Sequence, residues 1–228
     1  MKVVPISTIS NHPEASLLAD YVGGQLDELT ALMVAAHVDL CPHCQQQCAA
    51  LEARQAALWL NEPAATNTDA ALEQMLGAIL AAEPATAKAV AKAPAHSPII
   101  LGEQRFEVPR ALQRFTSRIK PWRRFGSKIW QSRLEFGDRH LQLLFMDQQG
   151  SVPQHTHKGR EITLVLHGGF EDESGEYRMG DFVLRDGSHR HTPVAAHESC
   201  LCIALAEAPL HFTSGLGRLL NPIAHWLG

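Results

Sequence analysis

No stretch of the 228-residue chain is continuously apolar over the length a bilayer crossing needs, so a transmembrane span is excluded. The first eighteen residues, MKVVPISTISNHPEASLL, have no apolar core of signal-peptide length followed by a small-residue cleavage site. The expectation is a cytoplasmic protein. The balance of 20 basic and 24 acidic residues is mild, and hydrophobic residues at 45% against charged residues at 19% exclude wholesale disorder. There is no internal repeat of solenoid period. A disulfide framework does not suit a reducing compartment, so the five cysteines read as metal ligands or unbridged thiols, and the thirteen histidines point the same way.

The net charge of −4 hides two unlike parts. Residues 1 to 95 hold ten acids and four bases, a charge of −6, whereas the remainder carries +2 with a basic cluster from Arg105 to Arg139. Between them AAEPATAKAVAKAPAHSP (81 to 98) mixes alanine with three prolines and has no helical stripe. It reads as a linker. The chain therefore divides into a helical domain over 1–82, an Ala/Pro linker over 83–99 and a second domain over 100–228.

In the first part Leu17, Leu18 and Tyr21, then Leu26, Leu29, Leu32, Met33 and Ala36 after a Gly23-Gly24 break, recur at helical spacing. Ala49 to Leu60 and Ala70 to Leu80 continue the pattern, so four helices are expected. After the linker the period shortens. LQLLFMD (141–147), ITLVLHG (162–168), GDFVLRD (180–186) and SCLCIALAE (199–207) alternate like strands between glycine and acidic turns. An antiparallel β domain of barrel or sandwich type is expected, so the fold class is α+β.

Two constellations carry chemistry. His37, Cys41 and Cys44 form H-x3-C-x2-C, and a helix running on through a turn at Pro42 would put all three on one face. Thiolates with imidazole suit tetrahedral zinc, which needs a fourth ligand. His12 is the candidate, with His43 and Cys48 as nearby competitors. The second is His155, His157 and Glu161 in H-x-H-x3-E, where residues two apart on a strand share a side and Glu161 returns after a turn. His191, with His189 as its competitor, completes a set able to hold zinc or another divalent transition metal.

The second constellation resembles the cupin superfamily, small β barrels whose first motif fits from His155 to Gly168. The second cupin motif aligns from Gly180 and puts its histidine at His191, although Asp186, Ser188 and Ala195 replace the usual proline, glycine and asparagine. The whole arrangement, a helical H-x3-C-x2-C domain with a histidine upstream and a cupin downstream, resembles the ChrR family of anti-sigma factors. The resemblance implies zinc ligands at His12, His37, Cys41 and Cys44 and cupin ligands at His155, His157, Glu161 and His191. It also implies an extracytoplasmic-function sigma factor as partner, kept from RNA polymerase and released on singlet oxygen or related oxidants. Oxidation of ligand histidines, or of Cys41 and Cys44, with loss of metal is the chemistry expected for release.

The acidic first domain suits a competitor for a basic sigma-factor surface and would be repelled by nucleic acid. Leu17, Leu18, Leu26 and Leu29 are candidates for a helix-in-groove contact. The basic, aromatic-interleaved segment 105–133 is read as packing on the β domain or against the acidic half, not as a single-strand binder. A metal-dependent cupin oxygenase or isomerase with a regulatory helical domain is the alternative function, disfavoured because no further acid–base pair accompanies the ligands. Cys200 and Cys202, two apart on a strand, read as buried thiols at the outer reach of a disulfide.

Overall fold

A computed structural model describes residues 9–61, 70–82, 97–157, 159–208 and 210–213, the side chain of His157 excepted. Among the described residues four helices precede the sheets: α1 (Ala15–Val22), α2 (Glu28–Leu40), α3 (Pro42–Leu60) and α4 (Ala70–Ala81). Leu18 is the buried side chain of α1, and the chain turns out of the helix through Gly24 at φ 67°, a left-handed conformation that glycine adopts without strain. Asp27 then caps α2 by accepting from the Leu29 and Thr30 amides. Between α2 and α3 only Cys41 is non-helical, and Pro42 at the first position of α3 suits a helix start because that amide has no helical partner. The expected continuous helix is therefore broken at Cys41, and α3 begins seven residues earlier than the apolar spacing from Ala49 suggests.

Among the described residues the four helices do not share one core. α1, α2 and α3 pack together, whereas α4 has no buried residue. A fifth short helix, α5 (Arg110–Gln113), lies beyond the linker region and packs on α2. Residues 83–96 of the expected linker lie outside the described residues, and Ile99 at its end is already in a strand. No helix among the described residues is long and apolar enough to cross a membrane.

The β part comprises β1 (Ile99–Leu101), β2 (Gln104–Phe106), β3 (Arg123–Phe125), β4 (Ile129–Phe136), β5 (Arg139–Met146), β6 (His155–His157), β7 (Glu161–His167), β8 (Gly169–Asp172), β9 (Gly175–Arg178), β10 (Phe182–Arg185), β11 (Cys200–Ala206) and β12 (Leu210–Phe212). Six of them form an antiparallel sheet in the order β10-β7-β11-β5-β4-β3, and β1-β2, β6-β12 and β8-β9 are two-stranded. The strands do not close into one continuous barrel sheet among the described residues; β6-β12 and β8-β9 remain separate ladders.

Both faces of the large sheet are covered, and strand alternation decides which residue goes where. Leu141, Leu143 and Phe145 of β5, Ile162, Leu164 and Leu166 of β7, and Leu201, Ile203 and Leu205 of β11 share one apolar cluster with Leu18, Leu29, Leu32 and Met33 of the helices. Met146, Val165, Cys200 and Cys202 belong to a second cluster with Phe170, Tyr177 and Phe212. Helical head and sheet thus have a common core. Each fully buried Leu or Ile contributes about 1.5–3 kcal/mol, enough to fix α2 on the sheet. Ion pairs flank the contact: Arg110 with Asp39 at 3.5 Å and Arg139 with Asp27 at 2.9 Å. The basic segment meets the acidic half there, and its aromatics pack inward, Trp130 against Phe145 and Phe115 against Phe136.

Candidate metal centres

His12, His37, Cys41 and Cys44 converge, with one donor atom from each lying within 4.8 Å of the others. The break at Cys41 makes this possible. Its thiol turns back over the start of α3, where the Cys44 amide donates to Sγ at 3.4 Å. His37 comes from the last turn of α2, and His12 from the segment leading into α1. His37 Nε2 is 3.3 Å from Cys44 Sγ, and His12 Nδ1 is 3.4 Å from Cys41 Sγ and 3.5 Å from Cys44 Sγ. A tetrahedral zinc with bonds of about 2.3 Å to sulfur and 2.0–2.1 Å to nitrogen implies N···S edges of roughly 3.5 Å. The donor set fits the ion in kind and in spacing.

Electrostatics agree. Burial lowers His37 to about 4, so its imidazole is neutral and able to ligate, and burial pushes the Cys44 thiol up to about 12. A thiol so placed becomes a thiolate when a cation lies beside it. The competitors fall away. His43 is exposed and pairs with Gln47, while Cys48 is buried outside the cluster.

The turn before β10 surrounds this centre from the other domain. The Gly180 carbonyl oxygen is 2.7 Å from His37 Nδ1, which therefore donates to it and leaves Nε2 for a metal. Asp181 Oδ1 accepts from the Ser10 and Asn11 amides at 2.8 Å each, and Oδ2 accepts from the Arg178 amide. Phe182 donates its amide to the Asn11 carbonyl, and its ring meets the His37 ring edge-on. Gly180 has φ +95°, and a Cβ there would come within 2.4 Å of the Ile9 side chain. Sequence reading missed Gly180 and Asp181 as partners of the head; the only signal was the GD pair opening a strand.

His155 and His191 are paired across an isolated antiparallel bridge, each amide donating to the other's carbonyl at 3.1 Å. Their rings lie 4.4 Å apart and line one cavity together with Glu161 at the start of β7. Each ring is oriented from behind. His155 Nδ1 donates to the Pro153 carbonyl at 2.9 Å, and His191 Nδ1 meets Asp172 Oδ2 at 3.1 Å. This leaves Nε2 of both rings as the nitrogen that could hold a metal, and two imidazoles with a carboxylate are the kinds of donor a divalent transition metal takes. The backbone of His157 is in β6, but its side chain lies outside the described residues. His189 is exposed and engages Asp186, so His191 is the histidine that faces the others.

Behind His191 lies a buried polar cluster that carried no motif. Arg185 Nη2 donates to Asp172 Oδ2 at 2.5 Å and to the Tyr177 hydroxyl at 2.8 Å. Burial works to raise Asp172, yet the hydrogen bonds from His191 and Ser174 and the Arg185 charge hold it below its ordinary value. Cys200 and Cys202 are both buried and unbridged, with sulfurs 3.3 Å apart.

A helical head with a clustered His/Cys donor set, seated on an antiparallel β domain that carries a histidine- and glutamate-lined cavity, defines a two-part protein. Residues 113–210 match the family described as ChrR Cupin-like domain, and residues 15–45 match a zinc-finger family. The anti-sigma-E factor ChrR of Cereibacter sphaeroides is 34% identical over 225 residues, covering 94% of this chain and 98% of the relative. The crystal structure of Rhodobacter sphaeroides SigE in complex with the anti-sigma ChrR superposes with a TM-score of 0.65 at 28% identity, covering 88% of this chain and 100% of that one. The chain belongs to the ChrR family of anti-sigma factors. Its role is regulatory, and the enzyme alternative gives way to that kinship.

Proposed function

We propose that the helical head grips an extracytoplasmic-function sigma factor and withholds it from RNA polymerase, and that oxidation of the singlet-oxygen type ends the grip and so switches transcription. The observation that carries this reading is the uncovered apolar surface at the end of α3 and along α4. Leu58, Trp59, Leu60, Leu76, Ile79 and Leu80 are between 55 and 84% exposed. A twelve-residue helix is marginal in water unless its apolar face is covered, since isolated helices shorter than about 12–15 residues rarely persist. Such a face suits the groove of a partner protein. Leu18 and Leu29, candidates for that contact, are core residues, and Leu17 and Leu26 are half-buried against the same core.

In this reading residues 1–82 are the zinc-built four-helix inhibitory unit, 83–99 the tether and 100–228 the cupin barrel that senses the oxidant. Zn2+ is held by His12, His37, Cys41 and Cys44, and Zn2+ or another divalent transition metal by His155, His157, Glu161 and His191. The metals supply the positive charge that gathers buried thiolates, imidazoles and a carboxylate. The head's acidity matches a basic sigma surface and disfavours direct contact with nucleic acid. The reducing cytoplasm, with no membrane contact, keeps Cys41 and Cys44 competent to ligate.

Co-expression with the sigma factor, followed by measurement of stoichiometry and metal content before and after singlet oxygen, tests the proposal. An equimolar zinc-bearing complex that dissociates on exposure is expected, and failure to retain sigma overturns it. Cys41→Ala should lose zinc and sigma together. His155→Ala or Glu161→Ala should keep sigma capture and abolish release; unaltered release removes the sensing role from the β domain.

A further inference from the structure

The face of the large sheet turned away from the helices lines a cavity of about 440 Å³ that is open on one side. The walls are mostly hydrocarbon: Ile129, Leu144 and Met146 rise from β4 and β5, while Phe170 and Phe212 close the far side. The rings of His155 and His191, 4.4 Å apart, and Glu161 are its titratable groups, Gln131, Gln142 and Thr163 add neutral polar side chains, and Gly126, Ser151 and Pro153 on the rim are exposed. A mostly apolar cavity with a few polar groups is the form small-molecule sites take, within their usual range of about 300–1,000 Å³.

Size and charge narrow the ligand. A cavity of about 150 Å³ accepts one benzene ring, so this one has room for a body roughly two to three times larger. Most of the wall is hydrocarbon, which offers water few partners. The metal assigned above to His155, Glu161 and His191 gives the polar end a net positive character, which selects an anionic head; this step rests on that assignment. We infer that the β domain is a receptor for a small amphipathic organic acid, its apolar body among Ile129, Leu144, Met146 and Phe170 and its carboxylate at the His155–Glu161–His191 end.

The occupied end is joined to the inhibitory head. His191 leans on Asp172, which is held by Arg185 at the end of β10. The same four-residue strand begins at Phe182, beside the Gly180–Asp181 turn that contacts His37, Ser10 and Asn11. A ligand against His191 therefore sits one short strand from the zinc ligands.

The test uses the full zinc-loaded chain and octanoate as probe, with acetate as the headgroup-only control. Calorimetry should show saturable binding of one octanoate per chain and a rise of about 2–4 °C in melting midpoint, with acetate giving neither at the same concentration. Ala204, which lines the cavity from the central strand β11, supplies the variant: Ala204→Phe should weaken octanoate at least about tenfold while zinc content and sigma capture persist. A readout without substitution comes from methyl-labelled methionine. Octanoate should shift the Met146 methyl signal and leave Met33, buried in the head, unmoved. Absence of saturable binding, acetate binding as well as octanoate, or a shift confined to Met75 on the exposed α4 overturns the inference. Sigma capture is scored separately, so a failed receptor with intact capture is distinguishable from a failed anti-sigma reading.

Discussion

His37 Nδ1 lies 2.7 Å from the carbonyl oxygen of Gly180, joining residues 143 positions apart at the proposed zinc centre. The β domain thereby supplies the outer shell of a site whose proposed ligands all come from the helical head and the segment before it. Removing such a partner commonly lowers metal affinity by about 10–100-fold, because the ligand loses its fixed tautomer and orientation.

A carbonyl cannot be substituted, but Asp181, which fixes the turn presenting it, can. Asp181→Asn exchanges a carboxylate that accepts three amides for a group with one acceptor oxygen, leaving a partly buried N–H of Ser10, Asn11 or Arg178 facing an NH₂. The expected result is a zinc affinity reduced about tenfold and a loss of about 1–3 kcal/mol in stability. Competition against a chromophoric chelator and denaturant titration measure the two. Wild-type zinc affinity in the variant would show that the turn does not position His37.

The uncovered helix face makes a different kind of prediction, one in which binding moves and stability does not. Leu76→Asp with Ile79→Asp should weaken sigma binding at least about 100-fold, since buried apolar anchors dominate such interfaces. The unbound chain should change by less than about 0.5 kcal/mol, because both side chains are more than half exposed. Calorimetric titration of the sigma factor and urea unfolding of the free chain separate the two effects. Equal losses in both would mark α4 as a structural element.

How much of this was legible in advance depends on the range of the physics. Local periodicity located all four N-terminal helices, and the runs at 141–147, 162–168, 180–186 and 199–207 each became a strand of the large sheet because alternation records which side chains turn to which face. The spacing of His37, Cys41 and Cys44 marked a donor set but mistook its geometry, since a cysteine acting as cap between two helices reads like one inside a helix. Apolar stripes do not say which neighbour covers them. Leu18 and Leu29 went into the core and Leu76 and Ile79 did not, though all four have helical spacing. Gly180 and Asp181 act on the head at long range, through a backbone carbonyl and through bonds to backbone amides, which leaves no pattern in the chain.

Asp27 links helix capping to domain contact and gives a pH signature. It accepts from Leu29 and Thr30 at the start of α2 and pairs with Arg139 of β5. Burial opposes ionisation, but the bonds from Thr30 and Arg139 outweigh it and hold the carboxyl below its ordinary value of 3.8. In the acid range around and below that value the unfolded chain binds more protons than the folded one, so stability rises with pH through this window. The contribution is fully present above it and fades as pH falls through the folded-state value. Asp27→Ala should cost about 1 kcal/mol at neutral pH, chiefly from the cap. Arg139→Ala should cost only about 0–1 kcal/mol, because the pair is half exposed. Urea unfolding from pH 7 downward should show wild type and Asp27→Ala converging in acid; a constant gap would deny Asp27 the shift.

Arg185 and Asp172 are nearly inaccessible, with side chains 5% and 0% exposed, and one carboxylate oxygen serves both Arg185 and His191. Breaking such a pair from one side strands a buried charge and costs about 3–5 kcal/mol. Arg185→Ala should therefore unfold at markedly lower denaturant concentration. Arg185→Ala with Asp172→Asn should recover part of the loss, since the amide needs no cation. The recovery separates a charge effect from a packing effect, because a void left by the arginine would persist in the double variant. The two variants should also differ at His191. With Arg185 absent the carboxylate keeps the His191 ring and the Ser174 amide as donors, whereas Asp172→Asn deprives the ring of its anionic support and should weaken its hold on metal. Metal content of the β domain, measured beside stability, reads this. If Arg185→Ala costs less than about 1 kcal/mol and leaves metal content unchanged, the cluster behind His191 is not what holds that side chain in place.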